Sequence, residues 1–161
     1  MALAPPPGPR ERESLTESVS HTVEEARMLI PGVTAFLGFQ LVVVFNSAFS
    51  QKLTRDEQML HVGAMFVTVV ALLMLLTPAA YHRQAESGWV SQGFVNLSSR
   101  LITGATPLFA VGMTLDFYLL VRAVSENTAL AVAMALVILA ITIVLWYGVP
   151  HVKPLARILR E

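Results

Sequence analysis

The sequence predicts an all-α protein, an integral membrane four-helix bundle preceded by an N-terminal amphipathic helix. Three observations carry that expectation. Of the 161 residues, 55% are hydrophobic and only 14% charged, with a mean hydropathy of +0.63. Soluble domains carry about 25% charged residues, so this chain has too little charge to cover a water-facing surface. Four apolar stretches, near 33–50, 62–81, 101–121 and 129–149, come close to the roughly 20 residues that cross a hydrocarbon core of about 30 Å. Together they take up about half the chain, which leaves room for one domain and no second.

Taken in order, residues 1–13 are rich in Pro and charge and are expected to be a disordered tail. Ser14-Leu-Thr-Glu17 has the spacing of a capping box and should start the first ordered helix. Leu15, Val19, Val23, Ala26 and Ile30 follow at helical spacing, with Glu17, Glu24 and Glu25 on other faces. An amphipathic helix over 14–30 is therefore expected along the membrane or the bundle, and Pro31-Gly32 should break it or turn it inward. Thr54-Arg-Asp-Glu57 is a second capping box, ahead of the second span. That helix should run through Pro78 to Arg83 and stop near Gly88. A polar loop over 87–99 leads to the third span, where Pro107 predicts a kink. Ser125 or Asn127 can cap the fourth helix, Pro150 ends it, and a basic tail occupies 150–161.

Four spans put both ends of the chain on one side. That side carries Arg10, Arg12, Arg27, Arg83, Arg100, Lys153, Arg157 and Arg160, against Lys52, Arg55 and Arg122 opposite. Basic residues collect on the cytoplasmic side, so both termini are expected in the cytoplasm. The first thirty residues hold no apolar core of signal-peptide type, so no cleaved signal is expected. Cysteine is absent, which excludes disulfides and thiolate metal sites. The net charge of zero gives no general attraction to nucleic acid.

Asp116 is the only charged residue inside the four apolar stretches. A carboxylate there costs a few kcal/mol to insert and normally faces protein or water. Counting from the entry points puts Asp116 roughly 22 Å from the inner face, with Asn46 and Thr68 near the same depth. Gln40 extends the polar side of the first span. One reading has Asp116 hydrogen-bonded to Asn46 or another amide and hydroxyl in a layer of Asn46, Thr68 and Asp116 that glues helices together. The other makes Asp116 a protonatable group that carries a proton or holds sodium. Arg122 lies about 240° around the helix from Asp116 and should reach the outer surface instead.

The histidines raise a third reading, haem. His61 and His82, 21 residues apart on one helix, fall at opposite faces about 31 Å apart, and only His82 and His151 could meet. A structural or interfacial role is expected for them, with no cofactor and no metal. Tyr81, Trp89, Trp146 and Tyr147 read as interfacial anchors. No phosphate loop, nucleophile elbow or zinc motif is present, so no enzymatic activity is expected.

Several elements in order resemble an uncharacterised family of small bacterial four-helix membrane proteins, a domain of unknown function. They are Glu25-Ala-Arg27, Leu29-Ile-Pro31-Gly32, Gly38-Phe-Gln40-Leu with Phe45 and Phe49, Thr77-Pro-Ala-Ala-Tyr-His-Arg83, and Leu115-Asp116. The resemblance covers roughly 23–121 and implies a four-helix membrane protein without an established activity. Some relatives bear a sodium/proton antiporter label by automatic transfer. This chain is far shorter than established antiporters and lacks their paired intramembrane carboxylates. The resemblance also draws in Glu25, Arg27, Gln40, Tyr81, His82 and Arg83. All but Gln40 lie at the cytoplasmic boundary, where a salt-bridged cluster with Glu24 or Glu25 could hold the amphipathic helix. The leading expectation is a structural or regulatory membrane component, with the bilayer and a second copy or another membrane protein as partners. Proton or sodium transport through Asp116 and Asn46 is the alternative.

Overall fold

The computed structural model describes residues 14–85, 89 and 91–149; the expected tails at 1–13 and 150–161, His151 and the stop at Gly88 lie outside the described residues. Among the described residues five helices follow one another, α1 (Leu15–Val44), α2 (Ser47–Lys52), α3 (Arg55–Ala85), α4 (Gln92–Ser125) and α5 (Thr128–Ile143), and a π-helical turn (Val144–Gly148) continues α5. No strand occurs among the described residues. Four helices, three of them α1, α3 and α4 and the last being α5 with its π turn, are long and apolar enough to cross a membrane.

The helix starts are set by side chains. Ser14 and Glu17 close the expected capping box, with the Ser14 N–H donating to Glu17 Oε2 at 2.8 Å and the Glu17 N–H to Ser14 Oγ at 3.3 Å. Thr54 and Glu57 do the same for α3, at 2.8 and 3.3 Å. Ser91 Oγ accepts from the Phe94 N–H, and Asn127 Oδ1 from the Leu130 N–H. Each cap satisfies backbone donors that a helix start leaves open.

Three boundaries differ from the sequence pattern. Helix α1 continues through Pro31 and Gly32, so the amphipathic segment and the first span are one rod. Ala26 and Val33, on either side of Pro31, are buried in one cluster with Ala71, Leu75, Ile102 and Ala105, and Ile30 packs against it. That shared burial holds the rod together where an interior proline costs about 3 kcal/mol in a free helix. At its other end α1 stops at Val44, and Asn46 starts α2 by accepting from the Ala48 N–H at 2.9 Å. Helix α4 likewise starts earlier than the expected span and passes through Pro107 without interruption.

The helices α3 and α4 form the tightest pair; α1 packs against both, and α5 packs chiefly against α4. Small residues make the close approach feasible. Ala64, Thr68 and Ala71 on α3 and Ser98 and Ala105 on α4 are fully or almost fully buried. A Cβ on Gly112 would sit 2.5 Å from Thr68 Oγ1 and 3.1 Å from the Ala64 carbonyl oxygen. Glycine is therefore required at 112 by the neighbouring helix, a common device where helices associate through packing.

Two ion pairs tie the end of the bundle that holds the α1–α3 and α4–α5 connections. Arg122 Nε lies 3.0 Å from Glu57 Oε1, with both side chains mostly buried. Arg122 thus turns to α3 instead of reaching the outer surface. Lys52 in α2 pairs with Glu126, whose left-handed backbone (φ 54°) follows the end of α4. The Lys52 ammonium, by hydrogen bond and charge, holds the Glu126 carboxyl below its usual range. A carboxyl whose folded value is depressed contributes stability above its unfolded value and loses it as pH falls through the folded one. Acidification from neutral pH to below the carboxylate range is expected to release this clasp, and Glu126→Gln to abolish that acid-sensitive component. Thermal melts of both proteins across that range check it; both groups are exposed, so the effect is small.

Candidate functional site

Three buried stripes converge at one end of the bundle. On α3 the residues His61, Ala64, Thr68, Ala71 and Leu75 recur at alternating spacings of three and four, and all are buried. On α4 the same rhythm runs through Ser98, Ile102, Ala105, Gly112, Asp116 and Leu119, and of these only Asp116 is not fully buried. On α1 it links Ala26, Val33 and Gln40. Such spacing keeps one helix face toward its neighbours. Where it reaches its last turns in the bundle, each stripe carries a polar residue, Gln40, His61 and Asp116.

These three bond to one another. Gln40 Nε2 donates to Asp116 Oδ2 at 2.5 Å. His61 Nδ1 lies 2.9 Å from Asp116 Oδ1, and His61 Nε2 lies 3.0 Å from the Gln40 carbonyl oxygen. Gln40 is 3% exposed and His61 4%, while the Asp116 side chain is 15% exposed. Phe49 of α2 packs its ring at 65° to the His61 imidazole, with centroids 5.2 Å apart.

The proton count follows from this geometry. Both ring nitrogens of His61 face oxygen acceptors, yet a neutral imidazole has one N–H. For both contacts to be hydrogen bonds, a second proton has to lie between His61 Nδ1 and Asp116 Oδ1, either on the ring or on the acid. In both arrangements the pair is neutral overall, which suits an apolar surrounding. The pair is thus one proton richer than a separate carboxylate and neutral imidazole.

The site opens into a cleft of about 390 Å³ between α1, α2, α3 and α4. Its walls include Phe36, Phe39, Phe49 and Phe117, and among the described residues Asp116 and His61 are the only titratable ones lining it. Asn46 lines it as well, although its side chain caps α2.

The expected layer is thereby rearranged. Thr68 donates to the Ala64 carbonyl oxygen at 2.9 Å and packs on Gly112, one turn away from Asp116. Gln40 takes the place expected for Asn46, because α1 begins at Leu15 and Asn46 falls beyond its end. His61, expected at a membrane face without a partner, is the residue that sequence reasoning missed. Its position on the His61–Ala64–Thr68–Ala71–Leu75 stripe was the available signal. At the other end, Glu25, Arg27 and Arg83 are exposed, and among the described residues no ion pair joins Glu24 or Glu25 to Arg27 or Arg83. Tyr81 and His82 pack instead on Phe94 of α4, with centroids 6.2 and 5.4 Å apart. His61 is occupied by Asp116 and Gln40, an arrangement that leaves neither of its nitrogens for haem iron.

An all-α chain with four helices long and apolar enough to cross a membrane, three of which meet at an acid–imidazole pair, has the make-up of a small helical protein compatible with a membrane. Residues 10–150 match a family described as a family of unknown function, DUF6328, and the chain belongs to that family. No curated protein and no solved structure matches the chain.

Proposed function

We propose that this is a non-enzymatic bacterial inner-membrane protein that binds and releases a proton at His61–Asp116, in the service of proton-coupled transport. The observation that carries the reading is that both nitrogens of His61 face acceptors, which requires an extra proton inside an apolar bundle. Gln40 serves both states of the pair without turning, since its amide nitrogen can donate to Asp116 Oδ2 whether or not the shared proton is present. The excess of basic residues on the side of the termini supports a cytoplasmic location for both ends, with the pair in the outer half.

The test is proton flux in proteoliposomes carrying a trapped pH indicator, under an imposed pH gradient with candidate counter-ions. The wild-type protein should dissipate the gradient faster than empty vesicles, and Asp116→Asn should return to the empty-vesicle rate. Equal rates for the two proteins would overturn the transport reading. A regulatory role for the N-terminal part of α1 is the second reading, supported by the exposed Glu24, Glu25 and Arg27. Because Ala26 and Val33 belong to the core, reversal of those three surface charges tests partner binding better than deletion.

A further inference from the structure

We propose that the aromatic cleft above Asp116 binds a lipophilic monovalent organic cation, and that the cation takes the place of the proton shared by His61 and Asp116. The inference rests on the proton reading of that pair and adds the class of ligand. Four phenylalanines, Phe36, Phe39, Phe49 and Phe117, line a cleft of about 390 Å³ with one carboxylate among them. A benzene-sized site needs about 150 Å³ and small-molecule sites begin near 300 Å³, so the volume suits a compact organic ion. Aromatic faces attract a cation through their quadrupoles, and the attraction grows where water is excluded. An inorganic cation would need several oxygen ligands, and the lining offers few besides Asp116, Asn46 and Gln40.

The exchange conserves charge. With the proton in place the pair is neutral. When the proton leaves to solvent, the pair carries one negative charge beside a neutral imidazole, and a monovalent cation in the cleft restores neutrality. His61 then keeps a single N–H, which stays with either Asp116 or the Gln40 carbonyl. Among the described residues no other charged group lines the cleft, and Arg55 and Asp56 at the start of α3 are exposed. Glu57 on α3 pairs with Arg122 on α4, and Lys52 on α2 pairs with Glu126 in the α4–α5 turn. The cleft is also faced by Gln40 of α1 and by Asn46, the cap of α2, which carry no charge. An anion meets only repulsion from the deprotonated pair, and a neutral molecule has no reason to displace the proton.

Tetraphenylphosphonium is the probe, with tetraphenylborate as its anionic counterpart of similar shape. Binding to the detergent-purified full chain is measured by equilibrium dialysis, and proton release by a pH indicator in weakly buffered solution. The expected result is saturable binding of the cation with about one proton released per cation bound. Affinity should rise up to tenfold per pH unit across the range in which the pair titrates, and the anion should show no saturable binding. Asp116→Asn should lose at least tenfold in affinity and all of the proton release. Phe117→Leu, which keeps the cleft apolar, should lose severalfold in affinity and keep the proton release. Saturable binding without proton release, or equal binding of the anion, would overturn the proposal. Proton flux without any cation binding would overturn it as well while leaving the proton reading intact. Cation binding with proton release but no flux would uphold it and sink transport alone.

Discussion

Replacing His61 with phenylalanine is expected to destabilise the bundle by about 3–5 kcal/mol, and adding Asp116→Leu to that variant should restore much of the loss. The first change leaves a carboxylate inside the bundle with only the Gln40 amide as donor. Breaking a buried pair from one side is costly because the remaining charge is uncompensated, whereas replacing both partners by apolar residues is often neutral. Asp116→Leu alone should cost less, about 1–3 kcal/mol, because His61 can lose its extra proton and keep one N–H on the Gln40 carbonyl. Its other nitrogen is then an unpaired acceptor. Denaturant or thermal unfolding in micelles of the two single variants and the double variant measures the coupling. Strictly additive losses would mean that the two residues do not act as a pair, and would remove the basis for a shared proton.

Gly112→Ala should cost about 1–3 kcal/mol, the usual range for overpacking a tight contact, whereas Gly104→Ala should be close to neutral. The two sites differ in what an added Cβ meets. At 112 it meets Thr68 Oγ1 at 2.5 Å and the Ala64 backbone oxygen at 3.1 Å, in the centre of the α3–α4 contact. Thr68 is fully buried and its hydroxyl is already committed to Ala64, so it has little freedom to withdraw. At 104 the added atom meets the Met74 Cε at 2.7 Å, the end of a flexible side chain. Thr68→Ala in the Gly112→Ala background should recover part of the loss, since one of the two close contacts disappears. Because Gly112 lies one turn from Asp116, the same substitution should also disturb the acid–imidazole distance. Proton flux is therefore expected to fall more in Gly112→Ala than in Gly104→Ala, and equal flux in both would argue that the α3–α4 contact does not position the site.

The helices and their starts were legible in the chain because they depend on neighbours in sequence. Ser14 with Glu17 and Thr54 with Glu57 are local hydrogen-bond pairs, and apolar length is read by counting. Pro31 misled for a related reason: its local cost is real, but burial of Ala26 and Val33 in one cluster outweighs it. Asp116 could be singled out from composition alone, since one carboxylate in an apolar span must find a partner. Which partner it finds is another matter. Gln40 lies 76 positions away and His61 55, and their approach depends on the depth of each helix and the rotation of its face. Counting depth from Pro31 puts Asn46 at the level of the acid, whereas α1 ends at Val44, Asn46 caps α2, and Gln40 is the residue of α1 that meets Asp116. His61 was hidden by its place near the start of α3, which reads as an interface from the sequence and is closed over by Phe49 and α2 in the fold. The sequence by itself determined an all-α chain with membrane-length helices and a lone acid, since local bonding and apolar length suffice for both. Only the tertiary structure decided that the acid meets His61 and Gln40 beside an aromatic cleft, because that contact comes from three helix faces meeting.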